Sequence, residues 1–273
     1  MKTARHPALP HTITFDPARH TYTDDSRRRY LSVTSWVRSL FPEFDAPSAA
    51  ERVAARTGRL ALDVLREWGA KRDASAAYGT AVHAYAEAAI LGRMETVSPP
   101  ATDNEARARL AVDAALLALA DTHDILGAEM IVFDPLYRLA GTLDLPAVNR
   151  ATGALAILDW KTCEEITDDA WGRTGLPPLV DVPDSKAAHY AIQLSTYATI
   201  MRDTGYVEPD RPVELAVIHV APGSSVPAWM PLGYYREQVE RAVTHRWGAR
   251  IVPEHPGGMT PEEVGAGDPG AVH

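Results

Sequence analysis

Cysteine is almost missing from this chain, lysine is scarce, and no long apolar run occurs. Cys163 stands alone, which excludes a disulfide within the chain, a cysteine-based zinc site and a four-cysteine iron–sulfur cluster. Lysine occurs only at Lys2, Lys71, Lys161 and Lys186, so a lysine set among acidic residues is less easily an accident of composition. The N-terminal stretch MKTARHPALPHTITF holds no apolar segment of signal-peptide length, and the longest apolar helix candidate, Leu110 to Ala120, is broken by Asp113 and too short for a bilayer. These absences predict a soluble, intracellular protein with no membrane contact. Positive charge is also in deficit: 27 Lys and Arg against 36 Asp and Glu leave a net charge of -9. A uniformly basic surface is therefore excluded, and any nucleic-acid contact must come from a local patch. An acidic surplus is what a cation site contributes, because clustered carboxylates are neutralised only when the ion arrives.

What is present suits one folded α/β unit. The 273 residues are 46% hydrophobic, enough for a core, and neither an internal repeat nor a low-complexity linker divides them. Short strands are expected at Thr12 to Phe15, His20 to Thr23 and Tyr30 to Val33, making a small hairpin around Asp24-Asp25-Ser26. Ser32 or Thr34 can cap a helix that Phe41-Pro42 stops. Two more helices are expected between Ser48 and Gly92, the second carrying Tyr78, Val82, Tyr85 and Ala89 at helical spacing and therefore holding His83. Thr102 caps a helix running to about His123. The period then changes. Strands are expected at Glu129 to Phe133, Leu136 to Leu145 and Ala154 to Lys161 as a meander, with a polar turn from Asn149 to Gly153. A helix from Asp184 to Met201, strands at Val213 to Val220 and Val226 to Pro231, and a closing helix from Tyr234 to Trp247 complete the pattern. Gly, Pro and acidic residues dominate from Pro253, predicting a disordered tail over 251–273. The expected division is a single domain over 1–250, with a helical N-terminal portion over 34–125 and a sheet core over 126–250.

Residues two apart in a strand point the same way, so Asp159 and Lys161 share a face and Trp160 points to the other. If the preceding turn centres near Ala151 and Thr152, antiparallel pairing sets Asp144 opposite Asp159, with Cβ atoms roughly 5 Å apart. Two carboxylates that close repel unless a cation lies between them. The flanking runs are apolar, which makes unpaired charge there costly. This pattern suits phosphodiester hydrolysis with Mg²⁺ or Mn²⁺ held by Asp144 and Asp159, and with the Trp160 carbonyl as a further ligand. Lys161 would stabilise developing charge and orient or deprotonate the attacking water. Glu129 can add a carboxylate and His83 a nitrogen. Each piece alone also has a plain structural reading: Asp-x-Lys as a solvated ion pair, Asp144 as a turn residue, His83 as a packed histidine.

The ordered set resembles the PD-(D/E)xK nuclease superfamily, and within it the RecB-like exonuclease branch. The matching pieces are Gly79-Thr80-Ala81-Val82-His83, Glu129, Ala140-Gly141-Thr142-Leu143-Asp144, Ile157-Leu158-Asp159-Trp160-Lys161-Thr162 and Gln193-Leu194-Ser195-Thr196-Tyr197, in the family's order. Leu31-Ser32-Val33-Thr34 after a hairpin is similar to the N-terminal segment of phage exonucleases and mitochondrial genome maintenance exonucleases. Leu143 stands where the superfamily's name has proline. The resemblance implies a restriction-endonuclease-like core, a mixed central sheet flanked by helices. It implies metal ligation by His83, Asp144 and Asp159, a catalytic Lys161, and Gln193 and Tyr197 approaching the site or the DNA backbone. The cluster-free members are the nearer model, since one cysteine cannot hold an iron–sulfur cluster. The expected activity is Mg²⁺- or Mn²⁺-dependent cleavage from single- or double-stranded DNA ends, in recombination, repair or phage DNA processing. The setting would be bacterial or phage-infected host cytoplasm, with a recombination protein as a further partner.

DNA would be gripped locally. Candidates are Arg27 to Arg29, Arg52, Arg56 and Arg59 at helical spacing, Lys71-Arg72 ahead of the His83 helix, and Thr80 beside it. Trp36, Trp68 and Trp171 are candidates for base stacking, with core packing as the plainer role. Three other readings compete with the exonuclease: an endonuclease of the same fold, a non-catalytic nucleic-acid-binding module, and a metalloenzyme built on His83 and Glu87 at i, i+4.

Overall fold

A computed structural model describes residues 1–248. The tail expected from Pro253 onward lies outside them. Strands β1 (Lys2–Arg5), β2 (Thr12–Asp16), β3 (Thr21–Asp24) and β4 (Arg29–Ser32) open the chain. In β2 the buried residues alternate, Ile13 and Phe15 pointing inward, as a strand with one covered face requires. Ser32 ends β4 and caps α1 (Val33–Arg38), its hydroxyl accepting from the Ser35 N–H at 3.1 Å. Helix α2 (Ala46–Thr57) begins at the Asp45 cap and ends at Gly58, whose φ of 68° is the left-handed closure that glycine adopts freely.

Helix α3 (Ala61–Ile90) is 30 residues long. Residues 70–77 are exposed all round, while Val82, Tyr85 and Ala86 near its C-terminal end are buried. Helix α4 (Asp103–Ala120) starts at Thr102 and buries Ala108, Ala111, Val112, Ala115 and Leu119, a stripe at 3.6-residue spacing. It ends before His123. His123–Ile125 instead forms β5, an edge strand on β8 (Leu145–Asn149).

Strands β6 (Met130–Asp134) and β7 (Leu139–Leu143) pair antiparallel, as do β8 and β9 (Leu155–Lys161). Helix α5 (Lys186–Asp203) follows, capped by Ser185, and then β10 (Val213–His219), β11 (Ala228–Leu232) and α6 (Arg236–Trp247). The result is a mixed α+β fold with two mixed sheets flanked by helices. The first sheet has the order β1-β2-β3-β4-β7-β6, with β4 and β7 parallel. The second has the order β11-β10-β9-β8-β5, with β9 and β10 parallel.

One central sheet was expected, with Leu136 to Leu145 as one strand of a continuous meander. The chain instead leaves the first sheet at Leu143 and enters the second at Leu145, bending at Asp144. The bend is held from both sides: the Asp144 carbonyl accepts from the Glu129 N–H at 3.1 Å, and its carboxylate accepts from the Trp160 N–H at 3.0 Å. An apolar run gives no sign of such a break, because both halves are buried strands.

Strand β9 divides the core. Leu155 and Ile157 face a cluster built on α1, α5 and α6, whereas Ala156, Leu158 and Trp160 face a cluster built on α3 and α4. Asp159 and Lys161 continue the Leu155–Ile157 row by period two. Among the described residues no helix is long and apolar enough to cross a membrane.

Candidate metal centre

Five elements converge on the end of that row. Helix α3 brings His83, the Asp144 bend joins β7 to β8, β9 brings Asp159 and Lys161, and α5 brings Gln193 and Tyr197. Glu129 stands one residue before β6 with φ of 50°, a left-handed conformation uncommon for a side-chain-bearing residue. These seven side chains line a cleft of about 250 Å³.

His83 Nδ1 lies 3.4 Å from Asp144 Oδ2 and 3.8 Å from Glu129 Oε1. One potential ligand atom from each of His83, Glu129 and Asp144 falls within 4.8 Å of the others. Asp159 stands beside this trio, not within it: its carboxylate is in direct contact with the Lys161 ammonium. The β8–β9 register, Leu145 opposite Leu158, sets Asp144 across from Asp159 as the sequence predicts. Trp160 contributes its backbone N–H to Asp144 while its indole is buried among the α3 and α4 side chains.

The charges are strongly coupled. Burial alone would lower the pKa of His83, but Asp144, Glu129 and Asp159 outweigh it and raise the value to about 9. Burial, and then the neighbouring Asp159 charge, raise Asp144 to about 7 against the opposing pull of His83 and Lys161. Burial would depress Lys161, yet Asp159 and Asp144 hold it above its ordinary value, so it is an ammonium. Its Nζ also lies 4.7 Å from the centre of the Tyr190 ring. Without a metal, protonated His83 is therefore the counter-ion of the buried carboxylates.

Two carboxylates and an imidazole nitrogen delivered to one point fit a divalent cation that accepts oxygen and nitrogen ligands, as Mn²⁺ and Mg²⁺ do. A buried aspartate whose pKa is pushed up is also a group short of positive charge, which is the electrostatic condition a cation relieves.

Gln193 and Tyr197 lie one helical turn apart with Gln193 Nε2 donating to the Tyr197 hydroxyl at 3.4 Å. The Tyr197 ring lies close against Gly141, where an added Cβ would overlap ring atom Cε1. Gly79 makes a similar approach, an added Cβ falling 3.0 Å from Thr162 Oγ1. Two motif glycines thus let α5 and α3 close on the strands.

The expected DNA-contacting residues do not gather here. Thr80 is exposed, donates to the Ala76 carbonyl and does not line the cleft. Lys71 pairs with Glu164 and Arg72 with Asp73, and Arg59 with Glu67. Arg28 pairs with Asp24. Arg52 and Arg56 are exposed on α2, with no ion pair among the described residues, but away from the cleft lining. Trp36 is fully buried, Trp68 is half-buried, and Trp171 is 77% exposed. Glu87 turns from the site and pairs with Lys2 at 2.6 Å, so the i, i+4 pairing with His83 forms no centre.

Sequence reasoning missed the cleft's other wall. Phe15, His20 and Tyr22 of the β2–β3 hairpin line it, and the Tyr22 hydroxyl lies 2.8 Å from Thr142 Oγ1. Nothing local to those residues signals this, because the hairpin reaches the site through β4 pairing with β7, Leu31 opposite Leu139. Tyr190 was legible in principle: with Gln193 and Tyr197 it completes one face of α5. Compared with known proteins, the chain matches no family model and no curated relative.

Proposed function

We propose that this protein is a divalent-metal-dependent deoxyribonuclease of the PD-(D/E)xK type, acting from DNA ends. The observation that carries the reading is the meeting of His83, Glu129 and Asp144 ligand atoms within 4.8 Å, in the same cleft as the Asp159–Lys161 pair. A bound Mg²⁺ or Mn²⁺ supplies Lewis acidity towards a phosphodiester and lowers the pKa of an attacking water. The chain's own residues do the rest. His83, Asp144 and Glu129 hold the ion, with Asp159 and the Trp160 carbonyl as further oxygen donors. Lys161 acts as a charged donor to a non-bridging phosphate oxygen, stabilising the charge that develops there. Its raised pKa favours that role over removal of a proton from water. Tyr197 and Gln193 set the floor against which the phosphate is positioned.

Strands β6 to β9 with α3 and α5 supply a restriction-endonuclease-like core in this reading, and the broken sheet leaves its acidic bend at the cleft. Phe15, His20 and Tyr22 of the hairpin form one wall of the cleft. The choice of an exonuclease over an endonuclease rests on the sequence resemblance to the RecB-like exonuclease branch. Incubating end-labelled DNA with Mg²⁺ or Mn²⁺ is the test. Wild-type protein should shorten linear DNA and spare covalently closed circles; Lys161→Ala should reduce the rate by about a hundred- to a thousandfold, as removal of a transition-state donor does, and Asp159→Ala should reduce it through loss of a carboxylate near the ion. Undiminished cleavage by both variants would remove the proposed site, and rapid cutting of closed circles would favour an endonuclease.

A further inference from the structure

A second groove, of about 500 Å³, runs beside the metal cleft along α1 and the first turns of α5. Thr34 and Gln193 line both spaces, so the two are neighbours. Its walls are rich in rings. Phe41 lies against His189 with centroids 3.8 Å apart, and the Tyr190 ring turns its face to Lys161. Phe44 is 64% exposed, with the Trp68 ring 6.1 Å away on α3. Arg38, also lining the groove, is exposed and makes no ion pair among the described residues.

Phe44 has a physical oddity: a large apolar ring held out towards water, where burial would be favourable. It sits on the loop between α1 and α2 and lines this groove beside Phe41, Pro42 and Glu43. Rings along a groove with a free guanidinium are the composition that binds unpaired nucleotides: each base offers a π-face to stack, and each phosphate a charge to meet. A duplex presents its bases already stacked and closed off from such a surface.

We propose that this groove is a base-stacking subsite for single-stranded DNA, which holds the nucleotides adjoining the phosphate to be cut, with Phe44 as the stacking face and Arg38 as a phosphate contact. The proposal rests on the nuclease reading and sharpens it: the substrate is a single strand or an unpaired end. Of the three tryptophans considered for stacking, Trp36 is locked in the core, which agrees with its plainer role.

The test uses the full chain, with Ca²⁺ as the divalent ion and a single-stranded oligonucleotide carrying 2-aminopurine near one end or the other. Wild-type protein should quench the probe on binding at one of the two ends. Phe44→Ala should abolish the quenching and weaken binding about tenfold, a loss expected for one stacked base, while Phe44→Trp retains both. Arg38→Ala should weaken binding and flatten its salt dependence. Unchanged thermal unfolding of each variant certifies the fold. The proposal is overturned if wild-type protein leaves the probe unquenched at both ends, or if Phe44→Ala binds and quenches as wild type does. Cleavage separates the two ideas. A protein that fails to cut DNA with Mg²⁺ or Mn²⁺ refutes the nuclease, whereas a cutting enzyme whose KM on single strands is unmoved by Phe44→Ala refutes the groove alone.

Discussion

His83 and Asp144 face each other across 3.4 Å, each with a pKa raised above its ordinary value, to about 9 and about 7. Both hold a proton more tightly in the folded chain than in the unfolded one. The stability that His83 contributes is thus fully present below pH 6.5 and lost as pH rises through about 9. For Asp144 the loss begins above 3.8 and continues through about 7. A metal ligand must first give up its proton. Metal binding is therefore expected to release close to two protons at pH 6, about one near pH 8, and almost none above about pH 10, with apparent affinity for Mn²⁺ rising over that range. Calorimetric titration in two buffers of different ionisation heat counts those protons. Equal heats in both buffers at pH 6 would mean that the ion binds elsewhere. His83→Asn should lower the count at pH 8 by less than one proton, because without the opposing His83 charge Asp144 holds its own proton more tightly.

At the scale of elements, the site depends on how closely α5 approaches β7. Gly141 makes the approach possible: any side chain there meets the Tyr197 ring, which is itself 2% exposed. Gly141→Ala is expected to destabilise the fold by about 1–3 kcal/mol, the range of overpacking substitutions, and a second change, Tyr197→Phe, should not relieve it, because the overlap is with a ring carbon. Urea unfolding of the three variants measures this, and a neutral Gly141→Ala would show that the strand and helix can separate at little cost. The same elements show what a sequence can express. Period two in Leu155 to Lys161 placed Asp159 and Lys161 on one face, and the polar turn at Asn149 to Gly153 set the register that brings Asp144 opposite Asp159. Spacing along α4 marked its buried stripe, and Ser32, Thr102 and the Asp184–Ser185 region marked helix starts. The division of the sheet at Asp144 was hidden, since both sides of the bend are buried apolar strands. The first half of α3 was poorly legible because residues 70–77 have no covered face to impose a period. β1 and β5 are short edge strands whose partners lie elsewhere in the chain. Of the site, the strand residues were readable from local rules. The hairpin wall and the Phe44 groove were not, because they arise from packing between distant segments.

At the scale of the whole molecule, the N-terminus is tied to the C-terminal end of α5 by one buried histidine. His6 is 2% exposed, edge-on to Phe133 and Tyr206, with ring centroids 5.2 and 4.5 Å away. Its Nδ1 accepts from the Ala8 and Leu9 N–H groups at 3.2 and 3.1 Å. That nitrogen is therefore unprotonated, and Nε2 carries the hydrogen. Thr204 Oγ1, 3.0 Å from Nε2, accepts it while donating its own hydrogen to the Ile200 carbonyl. Every hydrogen-bonding position of the neutral ring is used, and a second proton would break two backbone bonds. Burial, helped by the nearby His11, accordingly lowers the pKa of His6 to about 4. The sign is opposite to that of His83. Between pH 6.5 and 4 the unfolded chain binds the His6 proton and the folded chain does not, so stability falls as pH drops through that window. His6→Asn keeps an acceptor for the two backbone N–H groups but cannot titrate. It should be less stable than wild type at pH 7, having lost the Thr204 bond and ring packing, and should lose less additional stability on going to pH 4.5. Guanidinium unfolding of both proteins at the two pH values gives the comparison as a double difference, in which the titrating carboxylates common to both cancel. Parallel losses in the two proteins would show that His6 does not couple acid to the fold. A reduced loss in the variant would show that protonation of His6 accounts for part of the fold's sensitivity to acid.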